Sequence, residues 1–265
     1  MVHNDLHDTP VVEPFAGGAG ASLRLMFAEV ASEIVLNDLD RRMYAFWRAV
    51  VNQTDELVDR IRNTPVTMKQ WRASRAIYDA PIRGQHQLDL AHAVFFLNRC
   101  NRSGIVMGGG PIGGYKQKGE WKLGARFNRA NLIERIMRIA RYRDRIQVSC
   151  FDARKLLTNL AGSNERKLVF LDPPYYRKGQ RLYFNALDHE DHEELAALLL
   201  GNPPFNWVLT YDNTAPIRKL FESVKTRPFR LSYSAYERRV GRELLIIDPR
   251  LKVPSRIIGR HIHSV

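Results

Sequence analysis

The sequence predicts an α/β protein built on a doubly wound, mostly parallel, Rossmann-like sheet with an antiparallel edge. Three observations predict it. Short runs of β-forming residues alternate with longer segments of helical periodicity, the pattern of strands joined through helices. Two of those runs stop in unusual turn chemistry, a glycine cluster after the first and Asp172-Pro173-Pro174-Tyr175 later on, at the kind of place where open α/β sheets hold ligands. The last two runs have no long helical segment between them, so they pair antiparallel at one edge.

Taken in order, Val11-Val12-Glu13-Pro14-Phe15 is the first strand and runs into Ala16-Gly17-Gly18-Ala19-Gly20. Ser22 to Ala31 carries Leu23, Leu25, Met26, Phe27 and Val30, a helix apolar on one side. Glu33 to Asp38 is a second strand ending in an acid. Asn131 to Arg141 repeats Leu132, Ile133, Ile136, Met137 and Ala140 at helical spacing. Gln147 to Asp152 and Leu168 to Asp172 are further strands, and Asp191 to Leu200 is a helix with Leu195, Leu198 and Leu199. Trp207 to Tyr211, Phe229 to Tyr233 and Glu243 to Asp248 bring the expected strands to seven. Residues 1–50 are read as the first part of a core domain, 51–140 as an inserted helical and loop region, and 141–265 as the remainder of the core. Trp47 and Trp71 lie in apolar helical stretches and are expected in the core. There is no internal repeat and no low-complexity tract.

The chain has 265 residues, of which 45% are hydrophobic and 26% charged, with 41 Lys+Arg against 28 Asp+Glu and a formal net charge of +13. That excess points to a polyanionic partner. It is concentrated: Arg99 to Arg154 holds thirteen Lys/Arg and four acids. Within it, Gly104 to Gly124 carries eight glycines interleaved with Tyr115, Lys116, Lys118, Trp121 and Lys122. The expectation is a mobile basic loop, too loose to pack. No apolar run approaches the ~20 residues that span a bilayer, so no membrane association is expected. The polar, acidic start resembles neither a secretory signal nor a transit peptide. Two cysteines, Cys100 and Cys150, are too few for a disulfide framework or a Cys-based zinc site, and a reducing cytoplasm is expected.

Glycines after the first strand let a ligand approach the backbone, and Asp38, 18 residues beyond Gly20, stands where an acid accepts bonds from a ribose. The bland alternative is close helix packing and a helix N-cap. The spacing is not G-x-G-x-x-G and Phe15 is bulky, which favours a nucleoside ligand without a pyrophosphate. At Asp172-Pro173-Pro174-Tyr175, two prolines must end the strand in a rigid turn. The Asp172 carboxylate and the Pro173 carbonyl then become two acceptors beside an aromatic ring, a set suited to a planar base with an exocyclic amino group. The competing reading is a proline-stiffened strand exit with a core tyrosine. His189 and His192 with Asp188 and Asp191 read as a helix start rather than as a metal site, and no metal is expected.

The pairing of Glu13-Pro14-Phe15-Ala16-Gly17-Gly18 with the later Asp172-Pro173-Pro174-Tyr175, and a basic segment between, resembles the Dam-like DNA adenine methyltransferases of the alpha order. Phe96-Leu97-Asn98-Arg99 with Ser103-Gly104, Asp191-His192-x-x-Leu195, Leu209 to Thr214, and Tyr233-Ser234 with Glu243-Leu244-Leu245-Ile246 resemble the same family. The resemblance covers about Val11 to Asp248. It implies a seven-stranded methyltransferase sheet with an inserted target-recognition region. It also implies methyl transfer from S-adenosylmethionine to the amino group of adenine in double-stranded DNA, by direct attack after base flipping.

Residue by residue, the resemblance implies that Glu13, Pro14, Phe15, Ala16, Gly17 and Gly18 wrap the cofactor, that Asp38 holds its ribose, and that Phe151 and Asp152 lie at its adenine. Asp172, Pro173, Pro174 and Tyr175 form the catalytic motif, Asp172 also lies at the cofactor, and Tyr176 joins Tyr175 in stacking. DNA contacts are expected from Asn98, Arg99, Asn101, Arg102, Tyr115, Lys116, Lys118, Lys122 and Arg126, with Arg129 on a phosphate; Arg99, Asn101 and Arg102 are candidates for base edges. The resemblance also implies a place among cytoplasmic, bacterial or phage-encoded restriction-modification systems, with a companion restriction or defence protein as a further partner. Ala19 stands where the family commonly has a third glycine, a change expected to be tolerated. The larger departure is a Lys-Trp-Ala-Gly-Gly-Lys-like segment usual in the family, which none of the ten residues before Val11 matches. Three alternatives follow: another segment or chain completes the pocket, cofactor affinity is low, or the chain is a weak or inactive DNA-binding subunit needing a partner. RNA is the alternative substrate.

Overall fold

A computed structural model describes residues 1–163, 165–176, 187–233 and 239–253. The chain divides into two compact units, one formed by residues 1–39 with 149–265 and one by residues 40–148. The sequence reading set these boundaries at 50 and 140. The helix just after residue 40 packs on helices of the second unit and goes with them.

The first unit carries the sheet. The strands are β1 (Val11–Glu13), β2 (Ile34–Asn37), β3 (Ile146–Ser149, of which Ser149 belongs to the first unit), β4 (Leu168–Leu171), β5 (Asn206–Asp212), β6 (Thr226–Tyr233) and β7 (Arg239–Ile247). They form one seven-stranded sheet in the order β3-β2-β1-β4-β5-β7-β6. β1 pairs parallel with β2 and with β4, and β4 pairs parallel with β5. β7 runs antiparallel to both β5 and β6, the edge pair that the missing helix foretold. β1 stops at Glu13 because Pro14 has no N–H to give the ladder. Pro228 lies within β6 and is tolerated there because β6 is an edge strand. Ser234, quoted for the family resemblance, lies outside the described residues.

The helices of this unit are α1 (Gly20–Phe27), α7 (Ala153–Ala161), α8 (His189–Leu200) and α9 (Ala215–Leu220). Parallel strands are joined by right-handed crossovers. Because β1 to β2 runs one way across the sheet and β3 to β4 to β5 runs the other, α1 falls on one face and α7, α8 and α9 on the opposite one. The core on that second face joins Leu157 of α7, Leu195 and Leu199 of α8, Ile217 of α9 and the inward residues Val169, Leu171, Trp207, Leu209 and Tyr211. β1 is buried on both faces, as a central parallel strand must be.

The second unit is helical: α2 (Arg41–Asn52), α3 (Thr54–Asn63), α4 (Met68–Asp79), α5 (Gln87–Cys100) and α6 (Arg129–Ala140). α5 is its centre, buried nearly all round from Leu88 to Leu97, with α2, α3 and α4 packed against it. Asp40, Thr67 and Asn128 cap α2, α4 and α6, each accepting a backbone N–H of the first turn. Trp47 and Trp71 are core residues, as expected. Among the described residues no helix is long and apolar enough to cross a membrane.

The glycine-rich segment 104–124 is irregular but not loose, which corrects the sequence reading. Pro111, Ile112 and Leu123 are buried, and Gln117 wires the turn together. Its Nε2 donates to Ile112 O and Gly114 O at 2.7 Å, and its Oε1 accepts from Leu123 N at 2.9 Å. Gly113, at φ +83°, faces Trp121 O so closely that any Cβ would stand 2.6 Å from it. Glycine here buys tightness, not slack.

Asn101, expected at a base edge, is instead fully buried. Its Oδ1 accepts from Trp71 Nε1 and its Nδ2 donates to Ile105 O, both at 2.7 Å, so the side chain is engaged inside the protein. Replacing Asn101 by Ala strands a buried indole N–H and a carbonyl. The expected cost is about 1–3 kcal/mol of stability, read from urea unfolding; a variant as stable as the wild type would show that the side chain is free for another role.

Candidate active site at the switch point of the sheet

The order β2-β1-β4 places the switch point of the sheet between β1 and β4, where the chain leaves the two strands toward opposite faces. Loops diverging there open a crevice at the carboxyl ends of the strands. The glycine turn after β1 and the Asp-Pro-Pro-Tyr turn after β4 flank it.

The glycine turn is fixed at both ends. Ala16 N donates to Asn37 O at 2.8 Å, Ala19 N to Ala16 O at 2.6 Å, and Gly17 N to Asp38 Oδ2 at 3.0 Å. Gly17 sits at φ +44° and Ala19 at φ +51°, a left-handed position that alanine occupies at some strain. A Cβ added to Gly17, Gly18 or Gly20 would meet no atom within 4 Å. The turn therefore presents bare backbone to open space. Pro14 and Ala16 are buried, while Phe15 packs on the core below.

Glu13, at the end of β1, is 3% exposed. Its Oε1 accepts from Ser22 N of α1 at 3.3 Å, and its Oε2 is buried with no hydrogen-bond partner among the described residues. Burial pushes its carboxyl up to about 7, the Ser22 and Ala21 bonds pull it down, and the nearby Asp172 adds to the rise.

Asn37 ends β2 and joins three strand ends. Its Nδ2 donates to Pro14 O and to Phe151 O, both at 2.9 Å, and its Oδ1 accepts from Ser149 Oγ at 2.8 Å and Phe151 N at 2.9 Å. Every hydrogen-bonding position of the amide is filled. Sequence reasoning passed over this residue; a lone asparagine closing a buried apolar run was the available signal.

Phe151 is exposed, and Asp152 is the N-cap of α7. Arg154 occupies the Asp152 carboxylate from Nε at 3.1 Å and Nη2 at 3.0 Å, and holds it below the ordinary carboxylate range. The same guanidinium bonds to Asp191 and, at 2.6 Å, to Glu194 of α8. Arg154 is thus a second residue that the sequence reading missed.

The Asp172-Pro173-Pro174-Tyr175 turn is held by β5 and β7. Along β5, residues alternate between core and opposite face, so Thr210 and Asp212 point the same way. Thr210 Oγ1 donates to Asp172 Oδ1 at 2.7 Å, and Asp212 Oδ1 accepts from Tyr176 N at 3.0 Å. Asp172 keeps a solvent-accessible face, yet protein atoms crowd the rest of it. That crowding raises its carboxyl above the ordinary range and the Thr210 bond opposes the rise. Pro173 and Pro174 are buried, and the half-buried Tyr175 donates its hydroxyl to Glu243 Oε1 at 2.6 Å. Tyr176 lies against His192, with ring centroids 5.1 Å apart, and its hydroxyl meets His189 Nδ1 at 3.2 Å. Asp188 and Asp191 form the capping box of α8, the helix start read from the sequence.

One sheet edge therefore carries Glu13 to Gly18, Asp38, Phe151, Asp152 and Asp172 to Tyr176. The remaining candidates belong to the helical unit. Tyr115 and Trp121 are about two-thirds exposed, and Arg102, Lys116, Lys118, Lys122 and Arg126 are exposed. Lys122 Nζ donates to Gln117 O and Gly119 O. Asn98 Nδ2 donates to Gly104 O at 2.9 Å, while its Oδ1 accepts from Arg99. Burial, with Arg126 and Arg135 alongside, pushes Arg99 down to about 10. Arg129 donates to Ile61 O and Thr64 O, bonds that tie α6 to α3. Among the described residues no cluster of His, Cys, Asp and Glu could hold a metal ion.

A family model described as D12 class N6 adenine-specific DNA methyltransferase matches residues 1–238. No curated protein matches the chain. Among solved structures, the chain is similar to SMU.472, a protein assigned as a methyltransferase and crystallised with SAH, at 13% identity and a TM-score of 0.28. The match covers 74% of this chain and 57% of that one.

A carboxyl raised by burial favours folding while protonated and opposes it once charged. The Glu13 contribution is thus complete below pH 4.5 and lost as pH rises through about 7. Glu13→Gln should remove that decline, up to about 3 kcal/mol, so urea melts of variant and wild type should diverge between these limits. Parallel curves would refute the assignment.

Proposed function

This chain belongs to the D12 class N6 adenine-specific DNA methyltransferase family, and on that premise we propose that it methylates the exocyclic amino group of adenine in double-stranded DNA, using S-adenosylmethionine. The observation that carries the reading is the Asp172 turn. Thr210 donates to Asp172 Oδ1 and fixes the carboxyl group at the exit of β4, where the residue keeps an exposed face for a substrate's amino group.

The residues of the crevice fit the cofactor. The space beside Gly17, Gly18 and Gly20 leaves room for a ligand, and Glu13 Oε2 is a buried acceptor without a partner among the described residues. Phe15 to Gly18 would line its methionine part, Asp38 would accept from its ribose hydroxyls, and Phe151 with Asp152 would border its adenine. When bound, S-adenosylmethionine supplies a methyl group already activated on a cationic sulfur.

The chemistry left to the protein is positioning. The amino nitrogen of adenine is a weak nucleophile because its lone pair is conjugated with the ring. Asp172 and the Pro173 carbonyl would accept its two hydrogens and favour a pyramidal nitrogen, whose lone pair would take the methyl group as the bond from methyl to sulfur breaks; the surplus proton on the methylated nitrogen would leave to Asp172 or to solvent. The Thr210 bond and the two prolines stiffen the turn, which supports acceptors set before reaction. The target atom lies inside the duplex stack, and the base must flip out to reach the turn, where Tyr175 and Tyr176 offer ring faces. Cys100 is buried and its thiol is pushed up to about 12, unsuited to nucleophilic attack. Lys116, Lys118, Lys122, Arg102 and Arg126 would neutralise phosphates, with Asn98, Arg99 and Tyr115 beside them. DNA in the cytoplasm is the expected partner, with a companion restriction or defence protein where one exists.

The test is incubation with labelled cofactor and unmethylated duplex DNA, single-stranded DNA or RNA. Label should enter the adenine of duplex DNA, fall at least about a hundredfold in Asp172→Ala, and fall about tenfold in Thr210→Val. Transfer to RNA alone, or an active Asp172→Ala variant, would overturn the reading. For binding, Lys116→Ala and Lys118→Ala should each weaken affinity on all sequences and lower the slope of log K against log salt by about one. An unchanged slope would remove those lysines from the interface.

A further inference from the structure

On the proposed reading, Tyr175 must offer a ring face to the flipped base, and its orientation is set by a residue outside the Asp-Pro-Pro-Tyr motif. Glu243 is 3% exposed on β7 and accepts the Tyr175 hydroxyl at 2.6 Å. In the β5–β7 ladder, Glu243 stands directly opposite Asp212, which accepts Tyr176 N. The two tyrosines that follow the prolines are thus tied to facing positions of one strand pair.

A tyrosine held only by its Cα end turns about two side-chain bonds, whereas one held also at its hydroxyl keeps its ring plane. At 2.6 Å the bond is a short O–H···O contact, and its loss would leave a buried polar group unpaired. Packing alone does not supply this hold, because a phenylalanine ring in the same space has no hydroxyl to anchor. We propose that Glu243 is a positioning residue for methyl transfer, fixing the Tyr175 ring through its hydroxyl so that the flipped base finds a preset stacking surface. The proposal rests on the methyltransferase reading above.

Four variants test it: Glu243→Ala, Glu243→Gln, Tyr175→Phe, and Glu243→Ala combined with Tyr175→Phe. Glu243→Ala and Tyr175→Phe should each lower kcat by about 10- to 100-fold and leave KM for the cofactor within about twofold, since the glycine turn is untouched. The combined variant should be no worse than the poorer single change, because the bond between the two side chains is already lost in each. Glu243→Gln keeps an acceptor oxygen and should stay within about threefold of wild type, a rescue that general damage to β7 would not give. With 2-aminopurine at the target position, the emission of the flipped base should be quenched by stacking in the wild type and in Glu243→Gln, and brighter in the other variants. Tyr175→Phe leaves β7 unaltered, so its result stands if Glu243→Ala fails to fold. Additive losses, an unchanged kcat in Tyr175→Phe, or a Gln variant as poor as Ala would overturn the inference while leaving the methyltransferase reading intact. A wild-type chain that transfers no methyl group would overturn that reading and this inference together.

Discussion

The buried amide of Asn37 is the constraint on which the site depends. Parallel strands end separately, and nothing in a β-ladder fixes the loops beyond their last rungs. Here one side chain spends two donors and two acceptors on the turn after β1 and the exit of β3. The Asn37 backbone adds a bond to Ala16 N, and Asp38 beside it holds Gly17 N. A buried polar network of this kind is stable only when complete, and this one is. It converts three strand ends into one rigid rim, which lets backbone geometry rather than flexible side chains shape the crevice.

On the other side of the switch point the rigidity has a different source. The Asp-Pro-Pro-Tyr turn carries its own stiffness in two prolines, and β5 with β7 contributes the orientation. Thr210, Asp212 and Glu243 each hold a different part of the turn: the Asp172 carboxylate, the Tyr176 amide and the Tyr175 hydroxyl. The electrostatics run against the charge of the whole chain. In a protein of net charge +13, the strand ends beside the switch point gather Glu13 and Asp172, both raised by burial. Such a site favours a ligand that brings its own positive charge. The basic residues expected at DNA belong instead to the helical unit, several of them on a glycine-rich segment wired tight by Gln117.

What the sequence made legible was whatever depends on local chemistry. Proline ending β4 and the helix start at Asp188 follow from rules that act within a few residues; the same proline rule, not applied to the first strand, would have ended β1 at Glu13 rather than at Phe15. The seven strands and the antiparallel edge were readable for the same reason. Residues whose role exists only across the sheet were not: Asn37 reaches Phe151, and Tyr175 reaches Glu243, over distances in the chain that no spacing rule spans. Asn101 misled because an exposed and a buried asparagine look alike in sequence, and only the indole of Trp71 decides between them. The glycine-rich segment misled because glycine serves close approach as readily as looseness, and Gly113 against Trp121 is a case of close approach.

The account stands or falls on what enters the crevice between β1 and β4. The most direct measurement is a crystal structure of the chain with S-adenosylhomocysteine and a short duplex. It should place the ribose at Asp38, the cofactor's adenine beside Phe151 and Asp152, and an extrahelical adenine whose amino group lies within hydrogen-bond distance of the Asp172 carboxyl group. A cofactor bound elsewhere, or a duplex held with every base still stacked and Asp172 facing only solvent, would contradict it.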